Sequence, residues 1–194
     1  MSRDRIIEAA AGVFARNGYH RTRMDDIALA AGVAKGTLYY HFPGKSDLFR
    51  ALATEGLEML LRQTQDALDA QVPFVGQLRL VVSRILRLYM EYSELAHIFF
   101  HEITSGLDDD VLRDINDVRT RFLGFLAQLL DEGNRCGYLQ VPNPELAAAG
   151  LIGLLDGMCR QQLQHPDRLT PTQVEETLMS MLLQGLDAQR QANA

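Results

Sequence analysis

Thr22-Arg23-Met24-Asp25-Asp26-Ile27-Ala28-Leu29-Ala30-Ala31-Gly32-Val33-Ala34-Lys35-Gly36-Thr37-Leu38-Tyr39-Tyr40-His41 holds two short segments of helical periodicity parted by one glycine. Thr22 followed by Asp25 has the spacing of a capping box and predicts a helix over Arg23 to Ala31. Gly32 supplies the turn, and a second short helix runs from about Ala34 to Tyr40. Two such helices joined by a glycine turn and preceded by a supporting helix make a helix-turn-helix. Ala28 is small where the helices must cross, and Ile27, Val33 and Leu38 are apolar where the unit buries its inner face. The outer face of the second helix carries Lys35, Thr37, Tyr39, Tyr40 and His41, with Lys45 just beyond. These side chains offer donors suited to phosphate oxygens and base edges. The plainer alternative is a solvated face on which Tyr39 and Tyr40 are partly buried packing residues.

Upstream, Ile6, Ile7, Ala10, Val13 and Phe14 share one helical stripe that starts near Ser2 and stops at Asn17-Gly18. Downstream, His41-Phe42-Pro43-Gly44 breaks the second short helix, and a long one resumes at Lys45 and runs to about Leu68. Pro73 separates it from an apolar helix over Gly76 to Tyr92. A further helix follows Ser93 to about Thr104, and Asp108, Asp109 and Asp110 suit the electropositive start of a long one reaching Cys136-Gly137. Asn143-Pro144 and Thr170-Pro171 each announce a helix by a cap with proline in the first turn, and Gln173 completes a capping box with Thr170. No alternating run bounded by hairpin turns interrupts this pattern. The expected fold is all-α, with about nine helices: a three-helix helix-turn-helix head over residues 1–47 and a helical body over residues 48–194.

Net charge is −6, which taken alone argues against a nucleic-acid partner, but its distribution argues the other way. Residues 1–50 hold eight Lys/Arg against five Asp/Glu, a balance of +3 that leaves −9 on the remainder. Both lysines of the chain, Lys35 and Lys45, fall in that basic segment. A basic head on an acidic body is the electrostatic footprint of a nucleic-acid-binding protein. The longest apolar run, Leu146 to Leu155, is too short to span a bilayer, and no basic-then-apolar leader opens the sequence. Cys136 and Cys159 lie far apart and lack metal-site spacing. These features point to a cytoplasmic protein without membrane association, resident metal or cofactor.

The run Phe14-Ala15-Arg16-Asn17-Gly18-Tyr19, then Thr22, Ile27-Ala28, Ala31 through Phe42, Lys45 and Asp47-Leu48-Phe49, resembles the N-terminal domain of the TetR family of bacterial regulators. The resemblance covers about the first fifty residues. It implies that Lys35, Gly36, Thr37, Tyr39, Tyr40, His41 and Lys45 touch operator DNA and that Thr22, as the capping residue, contacts a phosphate. Ala34 stands where many relatives have serine, so one cap is missing. The resemblance also implies a homodimer on a palindromic operator, most simply a repressor released by a small-molecule effector. Activation, or regulation without a small molecule, would use the same scaffold.

Several body residues are candidates for these roles. Ala149, Gly150, Gly153 and Gly157 align on one helix, and Val174, Leu178, Met181, Leu182 and Gly185 on the last one, as a dimer interface. Glycines inside a helix each cost about 1 kcal/mol against alanine, so several together imply a packing reason. Arg84, Arg87, Tyr89, Tyr92, Phe99, Phe100, Phe122 and Phe125 are candidates to line an effector cavity, the aromatics equally readable as core. A guanidinium on a mostly apolar helix calls for an anion, so Arg84 or Arg87 suits an effector that is apolar with an acidic group. His97 and His101, with Glu94, share a helix face, readable as metal ligands or as hydrogen-bonded or surface histidines. No nucleophile and base pair or phosphate loop appears, which argues against an enzyme. A helical lipid carrier or enzyme would need the cavity but not the basic head.

Overall fold

The computed structural model describes residues 2–68, 71–91, 107–165 and 167–186. Among these it is all-helical: α1 (Ser2–Asn17), α2 (Met24–Ala31), α3 (Lys35–His41), α4 (Lys45–Ala67), α5 (Phe74–Glu91), α6 (Asp109–Arg135), α7 (Pro144–Gln164) and α8 (Pro171–Leu186). The helix expected over Ser93 to Thr104 lies outside the described residues. The chain divides into two compact units, Met1–Leu60 with Glu91–Thr120, and Leu61–Met90 with Arg121–Ala194.

In the first unit, α1 to α3 and the start of α4 enclose Ile6, Ala10, Phe14, Ile27, Leu38, Leu48 and Phe49, all fully buried or nearly so. The Phe14 and Phe49 rings meet edge-on at 5.3 Å between centroids, and Tyr19 stacks on Phe14 at 5.8 Å. The α2–α3 turn is fixed by backbone geometry. Gly32 adopts a left-handed conformation with φ 62°. The Val33 N–H then reaches the Ala28 carbonyl at 3.0 Å and the Gly32 N–H that of Leu29 at 3.1 Å, the paired bonds of a Schellman motif. Arg5 adds a guanidinium hydrogen bond to the last α2 carbonyl, Ala31 O, at 2.7 Å.

The second unit is held by apolar burial. Helix α5 seals Phe74, Leu78, Val81, Val82, Ile85, Leu86 and Tyr89, while α6 contributes Phe122, Phe125, Leu126 and Leu130. Helix α7 adds Leu151, Ile152, Leu155 and Cys159, and α8 adds Val174, Leu178, Met179 and Leu182. Gly133 makes a close approach possible: a Cβ there would stand 2.5 Å from the Phe74 ring. Caps close the helices locally. Asn143 accepts the Leu146 N–H at 2.9 Å with Pro144 beside it, and Thr170 and Gln173 exchange backbone-to-side-chain bonds at 2.8 and 3.2 Å. The expected starts of these two helices therefore hold.

Two expected boundaries move. The cap of α2 is Arg23, in extended backbone, and its N–H bonds Asp26 at 3.2 Å, so the cap is not Thr22 with Asp25. Thr22 lies buried one residue upstream, its hydroxyl turned back to the Gly18 carbonyl at 2.8 Å. Helix α5 begins at Phe74 and not Gly76, because the Pro73 carbonyl already accepts the Gly76 and Gln77 N–H groups.

Candidate nucleic-acid interface

Helix α3 buries only Leu38, which anchors it to the head. Around that anchor, Lys35, Gly36, Tyr39 and Tyr40 are exposed, Tyr40 at 85% of its full surface. An aromatic side chain with that exposure contributes almost nothing to the core. Thus the packing alternative fails for Tyr40, while Thr37 is half-buried. Lys35 forms a surface ion pair with Asp25 of α2 at 2.7 Å, a weak contact that a phosphate can displace. His41 is half-buried at the helix end, its Nε2 2.8 Å from the Ser2 hydroxyl. Ala34 caps α3 with its carbonyl alone, as the absence of a cap side chain requires.

Thr22 and Lys45 stand apart from the other six predicted DNA contacts, because both turn inward. The Lys45 ammonium donates to the carbonyls of Tyr19 at 2.8 Å, Thr22 at 3.1 Å and His20 at 3.3 Å, and lies 4.5 Å from the centre of the Tyr19 ring. Behind the interface, Arg3 pairs with Glu55 through two contacts, one at 2.9 Å, and its guanidinium sits 5.4 Å from the centre of the Phe42 ring. Arg50 of α4 contacts Asp110 and, at 3.6 Å, Asp114 of α6.

In the body, Tyr89, Phe122 and Phe125 are buried core side chains. Arg84 is half-buried on α5, but Arg87 is exposed, so the argument from a sealed guanidinium does not hold for Arg87. Tyr92, Phe99 and Phe100 lie outside the described residues, as do Glu94, His97 and His101. Sequence reasoning missed a buried polar cluster. Asp156 of α7 is 3% exposed, pairs with Arg160 one turn on, and stands against the Tyr89 hydroxyl. Burial first, and then that carboxylate, raise the pKa of Tyr89 and push the Cys159 thiol up to about 12. The only hint in the sequence is an aspartate that ends the apolar run Leu146 to Leu155.

The predicted dimer residues separate into two sets. Ala149, Gly150, Gly153 and Gly157 are exposed, and a Cβ added at any of the three glycines meets nothing within 4 Å. Val174, Leu178 and Leu182 are buried within one chain, so that stripe of α8 faces its own core. Met181 is exposed and Gly185 sits in the last turn of α8.

A model of the bacterial regulatory proteins of the tetR family matches residues 6–52, and one of the tetracyclin repressor-like C-terminal domain matches residues 72–186. The chain belongs to the TetR family. It is accordingly a ligand-responsive, DNA-binding transcriptional regulator. Among relatives of this TetR regulator, the fatty acid metabolism regulator protein of Bacillus subtilis is 25% identical over 93% of both chains. The fatty acid degradation regulator FadR of Bacillus halodurans superposes with a TM-score of 0.79 at 28% identity, over 95% of this chain and 96% of that one. FadR of Bacillus subtilis, solved in complex with stearoyl-CoA, gives 0.79 at 26% identity, over 94% and 98%. None of the described helices is long and apolar enough to cross a membrane.

Proposed function

We propose that this TetR family regulator is a homodimeric repressor that binds a palindromic operator and releases it when a long-chain acyl thioester enters the body. The observation that carries the reading is the outer face of α3, where Lys35, Tyr39 and Tyr40 stand exposed around one buried anchor. A second copy is needed to read two half-sites about one helical turn apart. The open small-residue stripe of α7, beside exposed Leu146, Leu154 and Leu163, supports pairing through that helix. The effector class follows the stearoyl-CoA held by the Bacillus subtilis relative, and half-buried Arg84 on apolar α5 suits a ligand that is anionic at one end. This reading needs no catalytic step and places the protein in the cytoplasm with its operator.

Selection of bound fragments from sheared genomic DNA tests it, followed by titration of the selected duplex complex with stearoyl-CoA. The expected result is one family of inverted-repeat sequences, a dimer on each, and release by stearoyl-CoA but not by free coenzyme A. Enrichment of no sequence, or a complex that stearoyl-CoA leaves intact, overturns the operator or the effector half respectively.

A further inference from the structure

We infer that Lys45 is a positioning residue of the DNA-binding head, holding the loop between α1 and α2 in the shape that binding needs, and not a phosphate contact. This rests on the DNA-binding reading of the head. An ammonium has three N–H donors and no acceptor. At Lys45 all three are matched by carbonyls of one loop, those of Tyr19, His20 and Thr22, at 2.8 to 3.3 Å, with the Tyr19 ring beside them. A phosphate oxygen could gain a bond from this ammonium only by taking one from the loop. The same loop is tied at three further points. Thr22 donates its hydroxyl hydrogen to Gly18 O at 2.8 Å, the Arg21 Nε–H bonds Asn17 O at 2.9 Å, and the Arg23 N–H bonds Asp26. Thr22 is 2% exposed, so its hydroxyl presents no donor to a ligand. What the loop does present is the start of α2, with the exposed side chains of His20, Arg21 and Arg23 around it.

Lys45 therefore works across the chain. It sits at the first residue of α4 yet fixes backbone more than twenty residues earlier, joining the helix that leaves the head to the loop that begins α2. Lys35, the other lysine, has the opposite setting: 67% of its side chain is exposed and its single partner is a surface carboxylate. The two cations have the same chemistry and opposite roles, so each controls for the other.

Because the chain contains two lysines, ε-15N-lysine labelling of the full-length protein yields two ammonium signals to compare by NMR. The expected result is one slowly exchanging signal, absent from Lys45→Met, that a 30-base-pair duplex leaves in place, and one fast-exchanging signal that the duplex shifts. In parallel, duplex affinity is measured against salt. A lost phosphate contact lowers the log–log slope by about 0.9. Lys45→Met is expected to weaken binding by roughly tenfold with the slope unchanged, and Lys35→Met to lower the slope. A Lys45 signal that exchanges fast in the free protein, or that moves with the duplex as Lys35 does, overturns the assignment, as does a slope that falls in Lys45→Met. The free-protein spectrum keeps this test separate from the DNA-binding reading, which fails instead if the unmodified protein binds no duplex.

Discussion

Helix α3 buries one of its seven residues, whereas α5 buries seven of its eighteen. Full burial of a large apolar side chain contributes about 1.5 to 3 kcal/mol, so α5 is held by its own side chains and α3 by its neighbours. Leu38, the Gly32 turn and the Arg5 bond to Ala31 O fix α3 without using its outer face. That division leaves a surface whose residues are set by what they touch outside the chain. It also separates two kinds of substitution, those that unfold the body and those that silence the head.

The largest effect belongs to the body. Phe122→Ala removes a ring with no exposed surface from α6 and is expected to cost about 3 to 5 kcal/mol in urea unfolding. A loss below about 1 kcal/mol would mean the body is not organised by burial, and the contrast with α3 would break.

Alkaline titration sharpens the comparison next. The folded state keeps the Cys159 proton up to about pH 12, while the ordinary thiol value is 9.0. Between these values the unfolded chain binds fewer protons than the folded one, so stability falls as pH rises, by up to about 1.4 kcal/mol per pH unit. Tyr89, also raised, adds a fall of the same sign at higher pH. Thermal unfolding of Cys159→Ala should show a shallower decline across this window; an identical decline would remove Cys159 from the account.

At the head, Gly32→Val places a β-branched residue at φ 62°, with its Cβ 3.1 Å from the Arg5 guanidinium. A destabilisation of about 1 to 3 kcal/mol is expected, with duplex binding falling further than stability because the angle between α2 and α3 changes. Full binding by a destabilised Gly32→Val protein would show that the turn does not aim α3.

Local chemistry was legible in the sequence, and long-range chemistry was not. The turn at Gly32, the caps at Asn143 and Thr170 and the apolar stripe of α5 each depend on residues within a few positions of one another. Thr22 and Arg23 compete for one cap, and only the extended backbone at Arg23 decides between them. The inward stripe of α8 and the open stripe of α7 have similar apolar spacing, so which of them meets the core depends on the tertiary fold. The union of Tyr89 with Asp156, and of Lys45 with the loop at Tyr19, spans separations that no periodicity reports.

The outer face of α3, with Lys35, Tyr39 and Tyr40 exposed around buried Leu38, is the surface on which the proposed operator binding depends. The decisive comparison sets the combined Lys35→Met, Tyr39→Ala and Tyr40→Ala protein beside the unmodified one, measuring urea unfolding and affinity for the selected operator. Unfolding should change by no more than about 0.5 kcal/mol per site, because these side chains lie mostly outside the core. Affinity should fall by roughly a hundredfold or more, about 3 kcal/mol. Undiminished operator binding by the folded triple variant would contradict the claim that this face reads DNA.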